Sequence, residues 1–130
     1  MGQKLLIIDD DKNDVLITKS ILYKIGPGIT IEVASSGEEG LARLRDGTVL
    51  PALILLDVKM PGMSGIEVLR KIRDEKQLNP IPVVIVTNSI SEDDLVASYK
   101  SGANSIFLKT VDTDQFRRSI IHLIERFIEK

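Results

Sequence analysis

Short apolar runs alternate with amphipathic stretches along the whole chain. Leu5-Leu6-Ile7-Ile8, Ile29 to Ala34, Leu53-Ile54-Leu55-Leu56, Val83-Val84-Ile85-Val86 and the weaker Ile106-Phe107-Leu108 predict strands. Between the first two, residues about 12–25 carry Val15, Thr18, Ile21, Leu22 and Ile25 at helical spacing, and Gly26-Pro27-Gly28 stops the helix. Ser36-Gly37-Glu38-Glu39 opens the next helix as a capping box, in which Ser36 and Glu39 satisfy each other's free backbone donors; it ends near Gly47. Ser64-Gly65-Ile66-Glu67 is a second capping box, followed by Leu69 and Ile72, with Asn79-Pro80 closing that helix. Ser91-Glu92-Asp93-Asp94 places acids in a first turn, where the helix dipole favours them, and Gly102 follows as a C-cap. Asp112-Thr113-Asp114-Gln115 opens a last helix running almost to Lys130.

The order is a strand and a helix, five times over. That alternation predicts an α/β fold with a parallel, doubly wound sheet covered on both faces. For five strands the flavodoxin-like order 2-1-3-4-5 is the natural choice, with a crevice at the C-terminal ends of strands 1 and 3. No repeat, low-complexity segment or linker interrupts residues 1–130, so the expectation is a single domain with no output domain.

That topology gives the strand ends a meaning. The first run stops at Asp9-Asp10, the third at Asp57, the fourth at Thr87 and the fifth at Lys109. In a parallel sheet these ends share one edge, so three carboxylates, a hydroxyl and an ammonium converge. Magnesium takes oxygen ligands, keeps several waters and is completed by a phosphate. Asp10 and Asp57 can supply carboxylates, and Asp9 can hold a coordinated water. Clustering disfavours ionisation of all three acids unless a cation is present. Lys109 offers a point charge for a carboxylate or phosphate. A carboxylate beside magnesium and a lysine can attack phosphorus, and in-line phosphoryl transfer needs mainly position and charge neutralisation.

Composition narrows the context. With 17 Lys plus Arg against 19 Asp plus Glu, the net charge of −2 gives no general pull toward nucleic acid or an anionic membrane. No cysteine is present, so disulfides and thiolate metal sites are excluded. The first apolar run is too short for a signal peptide, and the stretch around Val49–Leu56 contains Pro51, so nothing spans a bilayer. Met1-Gly2 lacks the hydroxyl residue of a myristoylation motif, because Leu6 stands there. The expected location is the cytoplasm.

Each residue also has a plainer reading. Asp9-Asp10-Asp11 reads equally well as an acidic turn capping a helix. Asp57 can be a loop acid, Thr87 a loop cap, Lys109 a solvated charge and Phe107 a core aromatic. His122, the only histidine, has no visible metal partners and reads as a surface or packing residue. Gly62 and Gly65 read as turn residues. Neither a Walker motif nor a dinucleotide fingerprint is present.

Ile8-Asp9-Asp10, Leu56-Asp57, Met60-Pro61-Gly62-Met63-Ser64-Gly65, Val86-Thr87 and Phe107-Leu108-Lys109 occur in one order over residues 4 to 109. Together they resemble the receiver domain of two-component response regulators. The stretch from Ser91 to Lys109 is most similar to small single-domain, chemotaxis-regulator-like members related to cyanobacterial phytochrome partners. The strand order above is also that family's, so the two expectations are not independent. The resemblance implies that Asp57 is the phosphoacceptor. It implies that Asp9 and Asp10 form the acidic pocket and that the backbone carbonyl of Lys59 is a further magnesium ligand. It also implies that Thr87 bonds the phosphoryl oxygen, Lys109 pairs with it and Phe107 is the rotating switch aromatic. Such a chain is a phosphorylation-driven switch. It takes its phosphoryl group from a sensor histidine kinase or a phosphotransfer protein and signals to a downstream protein. It catalyses only its own phosphorylation and dephosphorylation.

Three features depart from the family's pattern. Thr110 replaces a proline whose preceding bond is usually cis, and a non-proline cis bond costs about 3 kcal/mol. Asn88 stands where a small residue is usual, and Lys59 and Ser89 flank the phosphoryl position, where side chains tune hydrolysis. Two other readings stay open. A magnesium-dependent phosphatase with an aspartate nucleophile would need an acid two residues later, where Lys59 stands. A degenerate receiver would act only as an interaction module. The last helix shows two apolar stripes: Phe116, Ile120, Leu123 and Phe127, then Ile121, Ile124 and Ile128. One broad stripe suffices to pack on the sheet, so the second, extended by Tyr99, is expected to stay partly exposed and bind a partner or a second copy of the chain.

Overall fold

Five strands and five helices alternate among the described residues of the computed structural model, which are 3–24, 28–47, 49–88, 90–109 and 112–128. They are β1 (Gln3–Ile8), α1 (Lys12–Tyr23), β2 (Ile29–Ala34), α2 (Gly37–Asp46), β3 (Leu53–Leu56), α3 (Gly65–Asp74), β4 (Val83–Thr87), α4 (Glu92–Lys100), β5 (Ser105–Leu108) and α5 (Thr113–Phe127). All strand pairs are parallel, in the order β2-β1-β3-β4-β5. Ile8 lies beside both Ala34 and Leu56, so β1 and β3 end level with each other.

Side chains alternate across the sheet into two apolar layers. Leu6, Ile8, Ile54, Leu56, Val83 and Ile85 meet Leu41 and Leu44 of α2 and Val68, Leu69 and Ile72 of α3. Leu5, Ile7, Leu53, Leu55, Val84 and Val86 meet Ile21 and Leu22 of α1 and Phe116, Ile120 and Leu123 of α5. The three central strands are thus apolar on both faces, which is why they read as unbroken runs. Each fully buried Leu or Ile contributes about 1.5–3 kcal/mol.

The helix starts follow their caps, with one difference. Ser64 and Glu67 form both halves of the capping box. Ser36 accepts from the Glu39 N–H, but the Glu39 carboxylate turns to the N–H and hydroxyl of Ser35, with Arg43 holding its other oxygen. Ser35 offers two donors where Ser36 would offer one. Ser91 and Asp112 cap α4 and α5 as expected. Helix α3 stops at Asp74, before Asn79-Pro80. A turn closed by Leu78 N–H to Glu75 C=O follows, and it buries Leu78 in the core.

Helix α5 corrects the two-stripe expectation. Ile124 and Ile128 are buried, 2% and 4% exposed, while Ile121 is half-buried. Ile124 stands one turn after Ile120 and two after Phe116, so it belongs to the same face, which is simply broad. Ile124 and Ile128 are therefore part of the core and present no surface to a partner, contrary to the expectation. Helix α1 ends at Tyr23. The expectations for Ile25, the stop at Gly26-Pro27, Ser89, Thr110 and the bond before it lie outside the described residues, as do Met1-Gly2 and Lys130. Among the described residues, no helix is long and apolar enough to cross a membrane.

Candidate functional site

The acidic run after β1 divides its labour. The Asp9 N–H donates to the Ala34 carbonyl at 3.0 Å, which keeps Asp9 in the sheet, and its side chain is 6% exposed. Its Oδ1 accepts from the Asp11 N–H at 3.0 Å, which turns the chain. Asp11 faces outward and caps α1 by accepting from the N–H groups of Asn13 and Asp14. The plain reading of the acidic turn is therefore right for Asp11, whereas Asp9 and Asp10 belong to the site.

Asp57 steps off β3 beside Asp9, with its N–H donating to the Ile8 carbonyl at 3.0 Å. It is buried, and its Oδ1 accepts from the Lys59 N–H at 3.4 Å. One carboxylate oxygen each from Asp9, Asp10 and Asp57 lie within 4.8 Å of one another. Asp9, Asp10 and Asp57 would together hold a magnesium ion, which takes carboxylate oxygens and keeps several waters. Hard oxygen donors, two of them buried, fit such a cation. The Lys59 side chain borders an open depression of about 630 Å³, also lined by Asp10, Asp57, Thr87 and Asn88.

The opposite wall is cationic. Thr87, the last residue of β4, is buried, and its carbonyl accepts from the Lys109 N–H at 2.8 Å. The Lys109 ammonium donates to Asp9 Oδ2 at 2.6 Å, Asp14 Oδ2 at 3.1 Å and Asp57 Oδ2 at 3.5 Å. Burial pushes the Asp9 carboxyl up to about 6, against the opposing pull of Lys109. Burial alone would lower the Lys109 ammonium, but its bond to Asp9 and the charge of Asp57 outweigh it and the net shift is upward. The lysine therefore stays charged.

The fold brings together Asp9, Asp10, Asp57, Thr87 and Lys109 as the strand ends predicted, and Lys59, named through the family resemblance, lies beside them. Phe107 is half-buried on β5 and packs against the layer of α1 and α5. Tyr99 is 53% exposed on α4. Two residues carry more than their sequence signal indicated. Asp14, in the first turn of α1, accepts from both Lys109 and the Asn88 amide, the latter at 3.1 Å. Gly65 permits a close approach, since a Cβ there would lie 2.0 Å from the Asp57 carbonyl oxygen. Its turn-like setting hinted at a glycine need. For Asp14 the only sequence hint was an acid one turn beyond Asp10.

This arrangement is that of a phosphorylation-controlled signalling module. The model of the response regulator receiver domain matches residues 5–121, and the chain belongs to that family. It is a receiver domain of the two-component response regulators, a signalling module. It is 31% identical over 123 residues to the chemotaxis protein CheY of Pseudomonas aeruginosa, covering 95% of this chain and 97% of that protein. Other curated relatives are longer, and the chain spans 44% of one of them. The crystal structure of the phosphorylated cyanobacterial phytochrome response regulator RcpA superposes with a TM-score of 0.92 at 28% identity, over 99% of this chain and 96% of that one. The Mn(2+)-bound form of the response regulator Rcp1 superposes with a TM-score of 0.89 at 27% identity, over 99% and 96%.

Proposed function

We propose that Asp57 accepts a phosphoryl group from a histidine kinase or phosphotransfer protein and that magnesium, held by Asp9, Asp10, Asp57 and the Lys59 carbonyl, is required. The observation that carries this reading is the buried Asp57 carboxylate between two acids and a charged lysine 3.5 Å away. An Asp57 oxygen would form the new P–O bond as the donor's P–N bond breaks, the bonding pair leaving with the donor imidazole. The ion would neutralise the phosphoryl oxygens on one side. Lys109 would take an oxygen on the other side, and the Thr87 hydroxyl a third. RcpA is described in a phosphorylated form and Rcp1 with Mn(2+), which supports carrying both features to this chain. The setting we infer is the cytoplasm, with output through contacts to a downstream protein and without direct nucleic-acid or membrane binding. Treatment with acetyl phosphate and magnesium is expected to add one phosphoryl to the intact mass. Asp57→Asn and the magnesium-free chain should gain none, and equal labelling of either would overturn the reading.

A further inference from the structure

We propose that Asp14 is a positioning residue that locks the resting site, holding Lys109 and Asn88 on one carboxylate oxygen until a phosphoryl group draws them away. The inference rests on the reading of Asp57 as the acceptor. An ammonium has three donors, and those of Lys109 are directed at Asp9, Asp14 and Asp57. A phosphoryl group on Asp57 brings new charged oxygens that compete for them. The Asp9 bond is the shortest and lies deepest. The Asp14 bond is longer and the Asp14 side chain is 21% exposed, so the Lys109 N–H directed at Asp14 is more readily redirected than the one held by Asp9.

The same Asp14 oxygen also accepts from the Asn88 amide. Asn88 directly follows Thr87, whose carbonyl accepts from the Lys109 N–H. Asp14, on α1, thus ties the ends of β4 and β5 to a third element. Any movement of the β4 end toward a phosphoryl oxygen must carry Asn88 with it and break the bond to Asp14. A cavity of about 80 Å³, lined by Asp14, Ile17, Lys109 and Phe116 among others, lies beside the pair. That is space for about two waters to replace the lost bonds.

A contact made only in the resting arrangement stabilises only that arrangement, so removing it shifts the population toward the activated one. Asp14→Ala should therefore bind beryllofluoride with magnesium more tightly than the parent chain, by about fivefold or more, the low end of usual coupling between sites. A merely structural Asp14 would leave that affinity unchanged or weaken it, and either result would overturn the lock. Asp14→Asn keeps an acceptor for Asn88 but loses the charge facing Lys109, so it should fall between the two. In a cycle with Asn88→Ala, the double variant should gain no more than Asp14→Ala alone; full additivity would contradict a shared contact. A metal-free readout separates this proposal from the acceptor reading. The side-chain amide resonance of Asn88 should shift in Asp14→Ala without any ligand, and an unmoved resonance would overturn the lock while leaving Asp57 as the acceptor. A parent chain that fails to bind beryllofluoride would overturn the acceptor reading and the lock with it.

Discussion

At Asp9, burial and pairing act in opposite directions. Burial raises the carboxyl from an ordinary 3.8 to about 6, and Lys109 recovers only part of that cost. A folded state that holds the proton more tightly than the unfolded chain gains stability from this group below about pH 4 and loses it as pH rises through 6. The metal-free parent should therefore lose more stability between pH 4.5 and 7 than Asp9→Asn, as measured by urea unfolding. Parallel pH curves for the two would contradict the burial account. Asp9, Asp10, Asp57, Thr87 and Lys109 were legible because each ends an apolar run. Asp14 was not, because an acid in a first helical turn is already explained by the helix dipole. Only the approach of β5 to α1 gives it a second task.

The elements were legible wherever a cap and an apolar period coincide, as at Ser64, Ser91 and Asp112. They were less so where a nearby donor competes, as Ser35 does for Glu39, or where burial of one residue overrides punctuation, as Leu78 does after α3. The seat of α3 against the strand-3 end depends on Gly65. Its N–H donates to the Val58 carbonyl at 2.8 Å, and any Cβ would strike the Asp57 backbone. Gly65→Ala must push the first turn of α3 away from the loop that carries Asp57. It should destabilise the chain by about 1–3 kcal/mol, the usual cost of overpacking, and slow acceptance by Asp57. An unchanged urea midpoint would show that the loop relaxes freely.

At the scale of the molecule, the strand order places the ends of β1 and β3 together, and the two apolar layers hold them there. What the sequence misjudged was surface. Ile124 and Ile128 complete the layer of α5, so the exposed apolar residues of this face lie mainly on α4: Leu95, Val96 and Tyr99. Burial of such residues contributes about 25 cal/mol per Å², much of it offset by the entropy of association. A second copy docking on residues 91–101 and the exposed side of 112–128 should raise the sedimentation coefficient when beryllofluoride and magnesium are added. Tyr99→Ala should reduce that rise. A strict monomer from micromolar to millimolar concentration would leave only a different protein as partner.

All of these scales meet at one carboxylate. Borohydride reduces an acyl phosphate, converting a phosphorylated aspartate to homoserine. The measurement that bears most directly on the account is therefore peptide mapping after acetyl phosphate, magnesium and borohydride. Homoserine at position 57 alone is the result expected. Homoserine at Asp9 or Asp10, or none anywhere in a chain that still binds magnesium, would contradict it.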